Sequence, residues 1–156
     1  MSDEIIQELV DRIHLELEEI PRVLARMNEG WERARRSDDD YYLDGVALNL
    51  HGFYMGIERI LTRIAETIDG KLPRGEGWHL LLLEQMMKEI PRTRPAVIST
   101  DTGIKLDEYR RFRHVVRNVY THNFDPVKLE KLIDSAPELF AQAKAELLAF
   151  AAFLEQ

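Results

Sequence analysis

Cysteine is absent from this chain of 156 residues. That excludes disulfides, thiolate metal sites and a cysteine nucleophile. Long apolar runs are missing too: the most apolar stretch, ELLAFAAFLEQ, is too short and too charged at its edges to span a bilayer. The opening MSDEIIQELVD is acidic and helical, unlike a signal or transit peptide, so a cytoplasmic protein without a membrane partner is expected. Nor is there an excess of basic residues. A formal charge of −7 argues against general, non-specific nucleic-acid binding, which needs an extended surplus of Lys and Arg. It leaves room for a local basic patch, to be found by position. No glycine-rich phosphate loop appears, which argues against nucleotide hydrolysis. No run alternates apolar and polar residues at period two, so strands are not expected.

What is present is helical periodicity in an ordinary globular balance, 45% hydrophobic and 31% charged. Ile6, Leu9, Ile13, Leu17, Ile20, Leu24, Met27 and Trp31 recur at steps of three and four, the apolar seam of a bundle helix. Ser2 can cap it, and Asp3 and Glu4 suit the positive end of its dipole. Pro21 predicts a kink or break. A second helix is expected over about 39–68, with Gly45, Gly52 and Gly56 allowing close approach of a neighbour. KLPRGEG is the clearest loop. Trp78 to Ile90 reads as a short third helix, and PRTRPAVISTDTG as a loop, because its prolines forbid a helix. A fourth helix is expected over about 104–121. Asp125-Pro126 then caps a fifth, in which Ser135-Ala136-Pro137-Glu138 predicts a second kink or break. The expectation is one all-α domain, 1–156, a four- to five-helix up-and-down bundle.

The fourth helix concentrates the chemistry. At 100° per residue, Arg110, Arg113, His114 and Arg117 form one stripe, and Tyr109, Phe112, Val115, Val116 and Val119 take the opposite side. Most such charged faces are solvated and paired with nearby acids. Here only Asp107 and Glu108 are close on the helix, and neither follows the stripe into its last turns. An anion site is therefore favoured. On a continuous helix His122 would lie about 140° from Arg117, but Asn123 to Pro126 is turn chemistry. A histidine just past the helix end can swing back over the last turn. An imidazole that moves a proton and a guanidinium that stabilises phosphoryl charge suffice for phosphodiester cleavage when RNA supplies its own 2′-hydroxyl. No metal or other cofactor is needed.

Arg117-Asn118-x-x-x-His122, at the end of the penultimate helix of a small all-α bundle, resembles the R-x4–6-H motif of HEPN domains. With EYRRFRHVVRN leading into it, the chain is most similar to HepT-like toxins encoded beside minimal nucleotidyltransferase antitoxins. The resemblance implies a metal-independent ribonuclease, an endonuclease or tRNA-trimming enzyme, acting as a homodimer whose two motifs meet at a shared cleft. It implies a nucleotidyltransferase-type antitoxin as partner. Carried over, Arg117 and His122 become the catalytic pair and Asn118 a polar supporter. Arg110, Arg113 and His114 become contacts to the RNA backbone. The rival reading is a non-catalytic bundle that serves a nucleotidyltransferase as partner or substrate-binding subunit.

The resemblance fails at one position. The HepT-like pattern often continues H-x-Y, the tyrosine being the residue that the partner modifies with AMP, whereas this chain reads His122-Asn123-Phe124. Tyr120 is then the nearest phenol and the expected modification site. Other candidates are weaker. Glu76-Gly77-Trp78-His79 matches half of a bundle di-iron motif without a second copy, so His79 reads as a surface or cap residue. His51 reads as a partly buried, satisfied histidine and His14 as solvated. Asp38-Asp39-Asp40 lacks the glycine turn and distal glutamate of a calcium loop.

Overall fold

The computed structural model describes residues 1–118 and 125–156; of Arg117 and Asn118 it describes the backbone alone. Among the described residues there are five α-helices, α1 (Asp3–Ser37), α2 (Tyr42–Ile64), α3 (Trp78–Met86), α4 (Thr100–Asn118) and α5 (Pro126–Leu154). A π-helical turn, Ala65–Asp69, continues α2. No strand occurs among the described residues, only an isolated bridge between Ile90 and Arg94. The protein is an all-α bundle, as its periodicity predicts.

The seams expected from spacing are the buried faces. Leu9, Ile13, Leu17, Ile20, Leu24 and Met27 of α1 meet Val46, Leu50, Phe53, Ile57, Leu61 and Ile64 of α2, and α5 adds Leu139, Phe140, Ala143, Leu147 and Phe150. Contacts between α1 and α2 run in opposite order along the two chains: Gly30 with Val46, Val23 with Gly52, Ile20 with Gly56, Glu16 with Arg59. The two helices are therefore antiparallel. The same holds for α4 and α5, where Thr102 meets Glu146 and Tyr109 meets Leu132.

Two of the three α2 glycines have the expected use. A Cβ on Gly56 would lie 3.0 Å from Ile20 Cγ1 and one on Gly52 3.4 Å from Val23 Cγ1, whereas Gly45 has nothing within 4 Å. Gly56→Leu should accordingly cost about 1–3 kcal/mol through overpacking. Urea unfolding followed by circular dichroism measures this, and an unchanged midpoint would show that the helices separate freely.

Of the two outcomes expected at each proline, a kink or a break, the break does not occur: α1 and α5 run through Pro21 and Pro137. An internal proline costs about 3 kcal/mol, yet Leu17, Ile20 and Leu24 around Pro21 are all buried. Each such side chain contributes about 1.5–3 kcal/mol by leaving water, so continuity of the seam outweighs the lost backbone bond. Ala136, Leu139 and Phe140 surround Pro137 in the same way.

The third helix stops at Met86, earlier than expected, because the backbone N–H groups of Val97 and Ile98 take Met86 O at 2.9 and 3.2 Å. The segment after it is irregular but ordered around Arg94, which is 4% exposed. Its guanidinium grips Asp69 through two bonds of 2.6 and 2.8 Å and donates to the carbonyls of Gln85, Lys88 and Pro95. The fourth helix begins at Thr100, earlier than its apolar pattern suggests. Ser99 Oγ accepts from Thr102 N at 3.1 Å, and Glu146 of α5 accepts from Ser99 N, Ser99 Oγ and Thr102 Oγ1 at 2.7–2.9 Å. A carboxylate from another helix thus completes the cap. Asp125 caps α5 as expected, accepting from Val127 N at 3.0 Å with Pro126 at the first position.

Candidate functional site

The basic stripe of α4 meets a buried polar strip on α2. Along that helix the inward positions are apolar except Tyr54 and Glu58, one turn apart and 1% and 3% exposed. A buried carboxylate requires a partner. Glu58 Oε2 has one in His79 Nδ1, 2.7 Å away at the start of α3. Tyr54 lies beside the same carboxylate. Burial raises its pKa far above the usual tyrosine value and the Glu58 charge raises it further, so the phenol stays neutral. His79 is therefore neither a surface nor a cap residue, which corrects the reading from sequence. Its ring is half-buried, paired with Glu58 and packed on the Trp78 indole at 3.7 Å between centroids.

The members of the stripe have different surroundings. Arg110 is half-buried, and its Nε donates to Asp107 Oδ1 at 2.5 Å; Arg111 approaches the other oxygen at 3.4 Å. Asp107 thus engages the first arginines of the helix. Arg113 is half-buried, and its Nε is buried without a hydrogen-bond partner among the described residues. It lines a cavity of about 480 Å³ together with Glu58, Trp78 and His79. His114 is exposed. On the opposite side Tyr109 is buried, donating its hydroxyl to Leu132 O at 2.7 Å, and burial pushes its pKa well up. Phe112, Val115 and Val116 are half-buried.

The helix carries its backbone through Arg117 and Asn118. The side chains of these two residues, and Val119, Tyr120, Thr121, His122 and Phe124 entirely, lie outside the described residues. Elsewhere His51 is half-buried and His14 exposed. Among the described residues no three His, Asp or Glu side chains come together as metal ligands.

Sequence spacing could not pair Glu58 with His79, because 21 positions separate them. A signal was nevertheless present: Glu58 follows Ile57 and sits one turn after Tyr54, on the core-facing edge of the α2 seam. A charge in such a place demands a partner from another element.

A family model described as HepT-like protein matches residues 45–154, from the start of α2 to the end of α5. Neither the curated proteins nor the solved structures contain a significant match. With the helical architecture and a match over more than half of its length, the chain belongs to the HepT-like family of HEPN-type proteins.

Proposed function

We propose that this protein is a metal-independent ribonuclease toxin that cuts RNA through Arg117 and His122. The observation that carries this reading is membership of a family associated with HEPN-type ribonucleases, in a chain whose Arg-x4-His sequence begins on the last turn of α4. In the reaction the ribose 2′-hydroxyl attacks the adjacent phosphorus and the bond to the 5′-oxygen breaks. The products are a 2′,3′-cyclic phosphate and a 5′-hydroxyl. His122 takes the 2′ proton or delivers one to the departing oxygen. Arg117 stabilises the charge that builds on the non-bridging oxygens, with Asn118 supporting the site. Arg113 and His114 hold the RNA backbone, and Arg110 contributes to the field while engaged with Asp107.

Two copies of the chain meet about a two-fold axis, so that Arg117 of one motif and His122 of the other complete a shared cleft. A nucleotidyltransferase-type antitoxin controls the site, and Tyr120 accepts AMP if that control is covalent, because Phe124 has no hydroxyl. A nucleotide there would set a bulky anion where the substrate phosphate must lie.

The test is cleavage of RNA by purified protein in EDTA. Mixed His122→Ala and Arg117→Ala subunits, each inactive alone, should regain activity as heterodimers. Intact RNA with the unsubstituted protein, with or without divalent cations, would favour the non-catalytic partner reading.

A further inference from the structure

The contact between the third and fourth helices rests on a sulfur atom. Gly103 stands in the first turn of α4, where glycine is intrinsically a poorer helix former than alanine. Its use is visible in what lies over it. A Cβ at this position would lie 2.6 Å from Met87 Cγ, 3.1 Å from Cε and closer than either to Sδ. The Met87 thioether therefore occupies the space that any other residue would fill with its own side chain. Met87 is the C-cap of α3, and the N–H groups of Val97 and Ile98 hold the neighbouring Met86 carbonyl. The thioether thus has little backbone freedom with which to withdraw.

The chain has five methionines and no cysteine, so the thioethers are its only oxidisable sulfur atoms. They differ in access and in consequence. Met27 and Met86 are fully buried, whereas Met1 is exposed. Met55 is half-buried and lines the cavity beside α4, where one more oxygen finds room. Met87 is half-buried too, within reach of a small oxidant, but its sulfur lies against backbone. An oxygen added there brings the polarity of a sulfoxide into a contact with no slack. Nor do the N–H groups of that turn stand ready to answer it. Gly103 N donates to Ser99 O at 3.0 Å, and Thr102 N donates to Ser99 Oγ at 3.1 Å.

We propose that Met87 is an oxidation site, at which a peroxide converts the thioether to the sulfoxide and loosens the head of α4 from α3. A sulfur lone pair attacks one peroxide oxygen, the O–O bond breaks, and the departing hydroxide takes up a proton and leaves as water. Sulfur loses two electrons and the peroxide gains them. A methionine sulfoxide reductase with a thiol reductant reverses the step, the oxygen leaving as water and two thiols joining as a disulfide. Because the basic stripe lies on α4, the state of one sulfur bears on how that stripe is held. The site stands without the ribonuclease reading, and its test involves no turnover.

The full chain is treated with graded hydrogen peroxide in the presence of a short methionine-containing peptide as reference. Sulfoxide at each methionine is measured by peptide mass spectrometry. The thermal midpoint, followed by circular dichroism, should fall by about 2–12 °C in step with sulfoxide at Met87, as overpacking in a chain of this size predicts. Reductase with dithiothreitol should restore it. Met87→Leu, close in volume and not oxidisable, should start near the parent midpoint and keep it in peroxide. Met55→Leu should lose stability in peroxide as the parent does. Amide hydrogen exchange needs no variant: Thr102 and Gly103 should exchange faster in the oxidised parent.

Met87 left intact when the reference peptide is fully oxidised overturns the proposal. So does a midpoint that falls as far in Met87→Leu as in the parent. Oxidised Met87 with the midpoint and the exchange of Thr102 and Gly103 both unchanged would do the same.

Discussion

Replacing His122 by alanine is expected to slow RNA cleavage by about 10²- to 10⁴-fold, the range lost with a general acid–base group. Helical content and unfolding midpoint should stay close to those of the parent. His122 comes after Asn118, the last residue assigned to α4, and among the described residues the core draws on all five helices together with Ala65, Val97 and Ile98. Arg117→Lys should fail almost as badly. A guanidinium presents two parallel N–H groups to two phosphoryl oxygens, and an ammonium is a point charge that cannot reproduce the fork. Cleavage is measured on labelled RNA in EDTA, with a catalytically dead preparation purified in parallel to exclude contaminating nuclease. If either variant cuts at the parent rate, the motif is not the active site.

The largest loss of stability should follow Arg94→Met. The Arg94 side chain is fully buried and that of its partner Asp69 nearly so. Two bonds to the carboxylate and three to backbone carbonyls use the whole guanidinium. Methionine preserves much of the volume and none of the donors. Asp69 would then remain a buried carboxylate held by Gln85 Nε2 alone among these bonds, and three carbonyls would lose their donor. Breaking a buried pair from one side costs about 3–5 kcal/mol, a large share of the 5–15 kcal/mol typical of a folded domain. Arg94→Lys should rescue little, since one ammonium cannot span Asp69 and three carbonyls. Adding Asp69→Asn to Arg94→Met should recover part of the loss, because the stranded charge is gone. A loss below about 0.5 kcal/mol in urea unfolding, the level of an ordinary surface change, would show that the segment is held by something else.

The two cases show which physical signals a linear sequence carries. Helix faces were legible because burial repeats locally: the α1 seam from Ile6 to Trp31 states its own period, and Asp125-Pro126 is a cap within two residues. Arg94 was illegible for the opposite reason. It looks like one more charge in a proline-rich loop until the chain brings Asp69 back to it across 25 positions. The start of α4 was misplaced on the same ground, since the carboxylate completing its cap is Glu146, 47 positions beyond Ser99. At Pro21 and Pro137 the local cost alone cannot tell a kink from a break, because that depends on the packing on both sides of them. At the candidate site, the basic stripe could be drawn on a wheel. The contrast between Arg110, engaged with Asp107, and Arg113, facing a cavity, depends on which residues of α2 and α3 lie opposite.

The shared cap at the head of α4 also constrains how the gene can vary. Glu146 clamps Ser99 and Thr102, and Tyr109 is pinned to α5 through Leu132 O, so the angular phase of the helix is set within its first half. Every residue beyond rotates with that phase, by about 100° per position. One codon gained or lost between Tyr109 and Arg113 would leave both clamps closed while turning Arg113 out of its cavity and Arg117 away by the same angle. Changes of side chain in this interval can be graded in their effect. Changes of length cannot, and α4 should drift in composition while its residue count between the clamps and the basic stripe stays constant.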